Sequence, residues 1–109
     1  ANRIKIIEGD ALNSCAELIT SDYNNYFDII FIDADRKNCL TYYEYCYKLV
    51  KPGGLILIDN VLFHGQVLQD NPPEFVQAIQ ELNKLIYNDT RVEISLLPIA
   101  DGLTIVYKK

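Results

Sequence analysis

Short apolar runs alternate along this chain with segments whose apolar positions recur every three or four residues. Residues 3–8 (RIKIIE) are brief and isoleucine-rich and predict a strand. Gly9-Asp10 interrupts it, and residues 11–19 predict a helix, with Leu12, Ala16 and Ile19 on one face. Residues 24–25 (Asn-Asn) fall in a loop. Residues 27–32 (FDIIFI) are almost wholly apolar, as in a strand covered on both faces. Residues 38–50 predict a helix with Leu40, Tyr43, Tyr47 and Val50 as its apolar positions, stopped by Lys51-Pro52-Gly53-Gly54. Residues 55–58 (LILI) form a second apolar strand, followed by a loop. Pro72-Pro73-Glu74 opens a third helix, along which Phe75, Ile79, Leu82 and Ile86 recur at helical spacing. Residues 91–97 and 103–107 predict two strands joined through a turn containing Asp101-Gly102.

The order β-α-β-α-β-α-β-β implies an α/β fold: a mostly parallel sheet closed by an antiparallel hairpin. Ligands of such sheets sit at the carboxyl ends of the strands. Two of the predicted strands end there in acidic or amide residues, Asp33/Asp35 and Asp59/Asn60. That edge is where chemistry is expected.

Composition narrows the partners. The 109 residues are 50% apolar and 23% charged, which suits one soluble globular domain and argues against disorder. Fifteen acidic residues outnumber ten basic ones, giving a net charge of -5, so nucleic acid is not expected as a partner. No apolar run is long enough to span a membrane, and the opening Ala1-Asn2-Arg3 does not resemble a signal peptide, so a cytoplasmic protein is expected. Cys15, Cys39 and Cys46 form no C-x-x-C pair and read as reduced thiols. Cys39 and Cys46 are expected on different faces of their helix. With one histidine, His64, a zinc site is not expected.

Asp33, Asp59 and Asn60 each follow an apolar strand that would hold them rigidly. Two carboxylates and an amide carbonyl are hard oxygen donors suited to Mg²⁺, Mn²⁺ or Ca²⁺. A strand-end aspartate taken alone more often caps the turn that follows it. The repetition on two strands, with Asn60 attached, favours a metal site.

The segments Gly9-Asp10-Ala11, FDIIFIDADRKN (27–38), KPGGLILIDNVLFHGQV (51–67) and LLPIADGLTI (96–105) together resemble the cation-dependent O-methyltransferases, the family of caffeoyl-CoA and catechol O-methyltransferases. Pro-Gly-Gly before an apolar strand is common to many S-adenosylmethionine-dependent methyltransferases. Asp-Ala-Asp, Asp-Asn 26 residues after its first aspartate, and Asp-Gly-Leu-Thr in the last hairpin are more specific. The resemblance implies a Rossmann-like methyltransferase sheet and transfer of a methyl group from S-adenosylmethionine to a hydroxyl of a small vicinal-dihydroxy aromatic substrate. It implies Asp33, Asp59 and Asn60 as ligands of a divalent cation, with Mg²⁺ favoured. It places Asp10, Ala11, Asp33 and Asp35 beside the cofactor and Phe63 and His64 toward the substrate; Tyr42, on the helix predicted over 38–50, is a further candidate to approach the cofactor. It also implies a homodimer.

Two departures stand out. Where the family often carries a lysine as general base, this chain has Arg36, which stays protonated, followed by Lys37. Arg36 would stabilise a phenolate, or Lys37 would take the proton, or both are solvated cations. The second departure is the absence of the family's glycine-rich loop and ribose-holding acid. In the family's strand order, 3-2-1-4-5-7-6, residues 3–8 would be strand 3, and strands 1 and 2 would lie between them and residues 27–32. The expectation is that residues 1–109 are the C-terminal part of a single methyltransferase domain, inactive in isolation. A non-catalytic module for oligomerisation or partner binding is the alternative. A phosphoacceptor receiver domain is disfavoured, because Glu8-Gly9-Asp10 fits its acidic pair poorly and Lys51-Pro52-Gly53-Gly54 has no place in it. Tyr43 and Tyr47 are expected as packing or an oligomer surface, and His64, as a lone loop histidine, reads more often as a polar surface group than as a substrate contact or base.

Overall fold

In the computed structural model, residues 3–33, 36–59, 74–98 and 102–109 are described, with the backbone alone at residues 36, 74 and 75. Helix α1 spans Ala11–Thr20, strand β1 Phe27–Ile32, a 3₁₀ turn Arg36–Asn38 and helix α2 Cys39–Leu49. Strand β2 spans Val50–Asp59, helix α3 Glu74–Tyr87, strand β3 Val92–Leu97 and strand β4 Leu103–Lys108. The four strands form one sheet in the order β1-β2-β4-β3, with β1 and β2 parallel and the other two pairings antiparallel. No described helix is long and apolar enough to cross a membrane.

Helices α2 and α3 lie on one face of the sheet. Tyr43, Cys46 and Val50 pack there with Ile56, Ile58 and Val106 from the strands and Leu82 and Ile86 from α3. The period along α3 is the expected one: Ile79, Leu82 and Ile86 are buried, joined by Val76. Cys39 and Cys46 fall in the same buried cluster, against the expectation of different faces, because seven residues are close to two full helical turns. Burial pushes the Cys46 thiol up to about 12, so it packs as a small apolar group.

Three strand expectations are corrected. Residues 3–8 form no strand; Ile4 and Ile6 are 76% and 81% exposed. A strand needs a hydrogen-bonded neighbour, and no described strand lies beside these residues. Strand β1 is covered on one face only. Ile30 and Ile32 pack against the core, whereas Ile29 and Phe31 remain 60% and 54% exposed. Finally, β2 starts at Val50 rather than after the Pro-Gly-Gly stop. The stop survives as an irregularity: Phe27 pairs with Val50 and Ile29 with Leu55, so two steps on β1 match five on β2. Gly53 takes φ +84° in this detour. A Cβ on Gly54 would lie 2.7 Å from Val50 Cγ2 and 2.8 Å from the Asp28 carbonyl oxygen.

The end of the sheet at Lys108 is closed by a polar cluster. The Lys108 ammonium is buried and donates to Asn25 Oδ1 at 2.8 Å, to the Tyr47 carbonyl at 2.7 Å and to the Val50 carbonyl at 3.0 Å. Asn25 reaches this position through a left-handed turn, φ 58°, which asparagine tolerates well. The Tyr47 ring also meets the Arg91 guanidinium at 4.0 Å and the Lys108 ammonium at 4.3 Å.

Candidate functional site

The register of the parallel pair assembles the site. Ile32 pairs with Ile58, so Asp33 and Asp59 are the next residues of two neighbouring strands, whose axes run about 4.8 Å apart. Both strands are anchored just before their ends, since Ile32 packs on the core and Ile58 is buried within it. Asp33 is exposed and Asp59 half-buried, so both carboxylates border solvent at the carboxyl edge of the sheet. Asp59 also pairs with Leu103 on β4, which brings the start of the Gly-Leu-Thr hairpin to the same edge. Gly102, just before β4, is buried with φ +92°. Leu103 and Gly102 were not among the expected site residues. The Asp-Gly signal was there to find them, but only the antiparallel register shows that Leu103 lies opposite Asp59.

The remaining expected residues are distributed as follows. Asp10 caps α1: its Oδ1 accepts from the Leu12 N–H at 3.0 Å, and Ala11 begins the helix. Both are exposed. Tyr42 is buried on α2, at 6% exposure. Arg36 opens the 3₁₀ turn, and the Lys37 side chain lines a cleft of about 280 Å³ with Leu40, Gln77, Ala78 and Glu81. Asp35, Asn60, Phe63 and His64 lie outside the described residues. The described residues thus bring Asp33 and Asp59 together, and among them no third carboxylate, thiol or imidazole joins the pair.

The donor chemistry fits a hard divalent cation. Two carboxylates on adjacent rigid strand ends supply two negative charges and oxygen ligands, and the solvent side leaves room for further oxygens. The carboxylate at the other end of the sheet is of another kind. Asp89 Oδ2 accepts from Tyr43 Oη at 2.8 Å and from Arg91 Nη2 at 2.7 Å, while Oδ1 accepts from Arg91 Nε at 2.8 Å. Arg91 holds the Asp89 carboxyl down to about 2, and burial, then the bond to Asp89, raises the Tyr43 phenol. A groove of about 500 Å³ beside Asp89 and Arg91 contains none of the expected site residues.

The pattern of the O-methyltransferase family matches residues 1–109. Among curated relatives, a probable caffeoyl-CoA O-methyltransferase 2 of Dictyostelium discoideum is 48% identical over 101 residues, covering 90% of this chain and 43% of that protein. The mouse catechol O-methyltransferase domain-containing protein 1 is 43% identical over 99 residues, covering 90% of this chain and 38% of that protein. Among solved structures, the O-methyltransferase of Bacillus cereus in complex with SAH superposes with a TM-score of 0.83 at 34% identity, over 96% of this chain and 50% of that one. A putative O-methyltransferase from Klebsiella pneumoniae gives a TM-score of 0.87 at 29% identity, over 99% and 50%. The chain therefore spans about half the length of the relatives it matches, and its sheet is that of Rossmann-like methyltransferases. With the pattern matched from end to end and relatives at more than 40% identity, this chain belongs to the O-methyltransferase family.

Proposed function

We propose that this chain serves an S-adenosylmethionine-dependent O-methyltransferase that methylates a hydroxyl of a small vicinal-dihydroxy aromatic compound with the help of a divalent cation. The observation that carries the reading is the Ile32–Ile58 register, which leaves Asp33 and Asp59 side by side at the sheet edge. The family match and the caffeoyl-CoA and catechol names of its relatives support the reaction class. The SAH held by the Bacillus cereus relative supports the methyl donor.

In this reading Asp33, Asp59 and Asn60 hold the cation, with Mg²⁺ favoured and Mn²⁺ or Ca²⁺ able to occupy the same oxygen donors. A bound cation lowers the pKa of a chelated hydroxyl at neutral pH. The strand ends fix the two carboxylates, so that a substrate gripped by adjacent oxygens has one orientation toward the methyl donor. Asp10, Ala11, Asp35 and Tyr42 border the donor, and Phe63 and His64 border the acceptor. Arg36 stays cationic and stabilises the developing phenolate, leaving Lys37 as the side chain able to take a proton.

Manganese binding, followed by electron paramagnetic resonance, tests the reading. One Mn²⁺ site is expected, weakened about 10-fold or more by either Asp33→Asn or Asp59→Asn. Labelled methyl transfer to a catechol probe should vanish on chelation. Unchanged Mn²⁺ affinity in both variants, or full activity with chelator present, would overturn it.

A further inference from the structure

Lys108 is buried, at 7% exposure, without a counter-charge. Its ammonium donates to Asn25 Oδ1, the Tyr47 carbonyl and the Val50 carbonyl, all of them neutral. No carboxylate among the described residues pairs with it. Arg91 brings a second cation to the same Tyr47 ring, but Asp89 and Glu44 are already committed to Arg91. Burial, then the Arg91 guanidinium, pushes the Lys108 ammonium below the ordinary lysine range. A buried ion is costly unless an opposite charge stands beside it.

Lys108 borders a cleft of about 460 Å³, lined also by Ile19, Asn24, Asn25, Tyr47 and Lys48. No carboxylate lines it, and Asp22 of the same turn is exposed and outside the lining. Lys48 is exposed, and no hydrogen bond or ion pair reaches it from the described residues. An ammonium can only donate, so the Asn25 amide must turn its oxygen to Lys108. Its NH₂ group is then held in place with no acceptor among the described residues. The charges do not balance either. The ends of α1 and α2 each carry about half a negative charge against the full positive charges of Lys48 and Lys108, which leaves about one positive charge unmatched. Capping of α2 explains the bonds to the Tyr47 and Val50 carbonyls, but gives no role to Lys48, the Asn25 NH₂ group or the surplus charge.

We propose that this cleft binds a small phosphate-bearing anion, with the Lys48 ammonium and the Asn25 NH₂ group as direct donors and Lys108 as the buried counter-charge. Phosphate suits these donors better than a carboxylate does, because they come from two separate segments and phosphate offers more acceptor oxygens in more directions. Ile19 and the Tyr47 ring give the body of a phosphate ester an apolar wall. Val50, whose carbonyl meets Lys108, opens β2, and Asp59 closes it, so the cleft is separate from the proposed methyl-transfer site and does not depend on that reading. Lys108 joins β4 to the α1–β1 turn and to the end of α2, so an anion in the cleft stabilises the fold by its binding free energy.

The test titrates the intact protein, freed of metal, with inorganic phosphate and separately with phenyl phosphate, against sodium chloride at matched ionic strength. Calorimetry should show saturable 1:1 binding, and the thermal midpoint should rise with phosphate and not with chloride. Lys48→Gln should weaken binding about 10-fold, whereas Lys84→Gln, which removes the same charge from α3, should leave it unchanged. Asn25→Asp supplies the absent negative charge from within. The left-handed turn tolerates aspartate, so the fold should hold while phosphate affinity falls about 100-fold. Tighter binding of phenyl phosphate than of phosphate would identify an ester as the ligand, and equal affinities would identify free phosphate. Absence of saturable binding, an equal response to chloride, equal losses in Lys48→Gln and Lys84→Gln, or affinity unchanged in Lys48→Gln and Asn25→Asp would each overturn the proposal.

Discussion

Asp89 and Asp33 both stand where a secondary-structure element ends, and the molecule treats them in opposite ways. The Asp89 carboxylate is saturated by Tyr43 and a two-pronged Arg91 contact, with its side chain only 6% exposed. Asp33 is exposed, and no hydrogen bond or ion pair reaches it from the described residues. The first aspartate ties α2 to the turn before β3 and has no acceptor capacity left for a guest. The second directly follows the anchored Ile32, and its side chain stays open to solvent. Burial and saturation, rather than charge, separate a carboxylate committed to the fold from one that borders solvent, as a ligand site requires.

That contrast is broken most decisively at the site. Asp59→Asn in the assembled enzyme should lower metal-dependent turnover about 100-fold or more, whereas Asp89→Asn should leave turnover per folded molecule unchanged. Steady-state rates with and without chelator compare the two. Next in size is Gly54→Ala. The added Cβ meets Val50 and two carbonyl oxygens, so a loss of about 3 kcal/mol is expected in denaturant unfolding, with the β1–β2 register disturbed as a consequence. Lys108→Met should cost about 1–3 kcal/mol, because the Tyr47 and Val50 carbonyls and Asn25 Oδ1 lose their donor.

The acid limb of the stability curve sharpens the comparison further. The Asp89 carboxyl is depressed from 3.8 to about 2 on folding, so its contribution is complete above pH 3.8 and is lost as the pH falls toward 2. Asp89→Asn should flatten stability against pH in that window, measured by thermal unfolding at successive pH values. The smallest effect belongs to Tyr43→Phe, which removes one hydrogen bond to Asp89 and should cost about 1 kcal/mol.

Local pattern revealed the elements wherever the chain supplies its own partners. Residues 27–32 were read with the bounds observed for β1, and the spacing of Ile79, Leu82 and Ile86 marked the buried stripe of α3. The same criterion applied to residues 3–8 expressed only a preference for extended backbone, and pairing depends on a neighbour outside the segment. The Pro-Gly-Gly stop reads as an interruption, but β2 absorbs it as a detour, because pairing with β1 begins at Phe27–Val50 and resumes beyond the glycines at Ile29–Leu55. Asp33 and Asp59 were legible because apolar runs advertise strand ends. Their adjacency, the return of Leu103 to Asp59 and the 83-residue reach from Lys108 to Asn25 are properties of register, which no local window contains.

The three acceptors gathered on Lys108 have a practical consequence. One ammonium ties β4 to Asn25 before β1 and to the Tyr47 and Val50 carbonyls at the end of α2, and it is buried there. An amine-reactive reagent should therefore modify the exposed Lys37, Lys48 and Lys51 first and reach Lys108 only as the molecule opens. The labelling rate at this one position, followed by mass, reports the opening of the sheet.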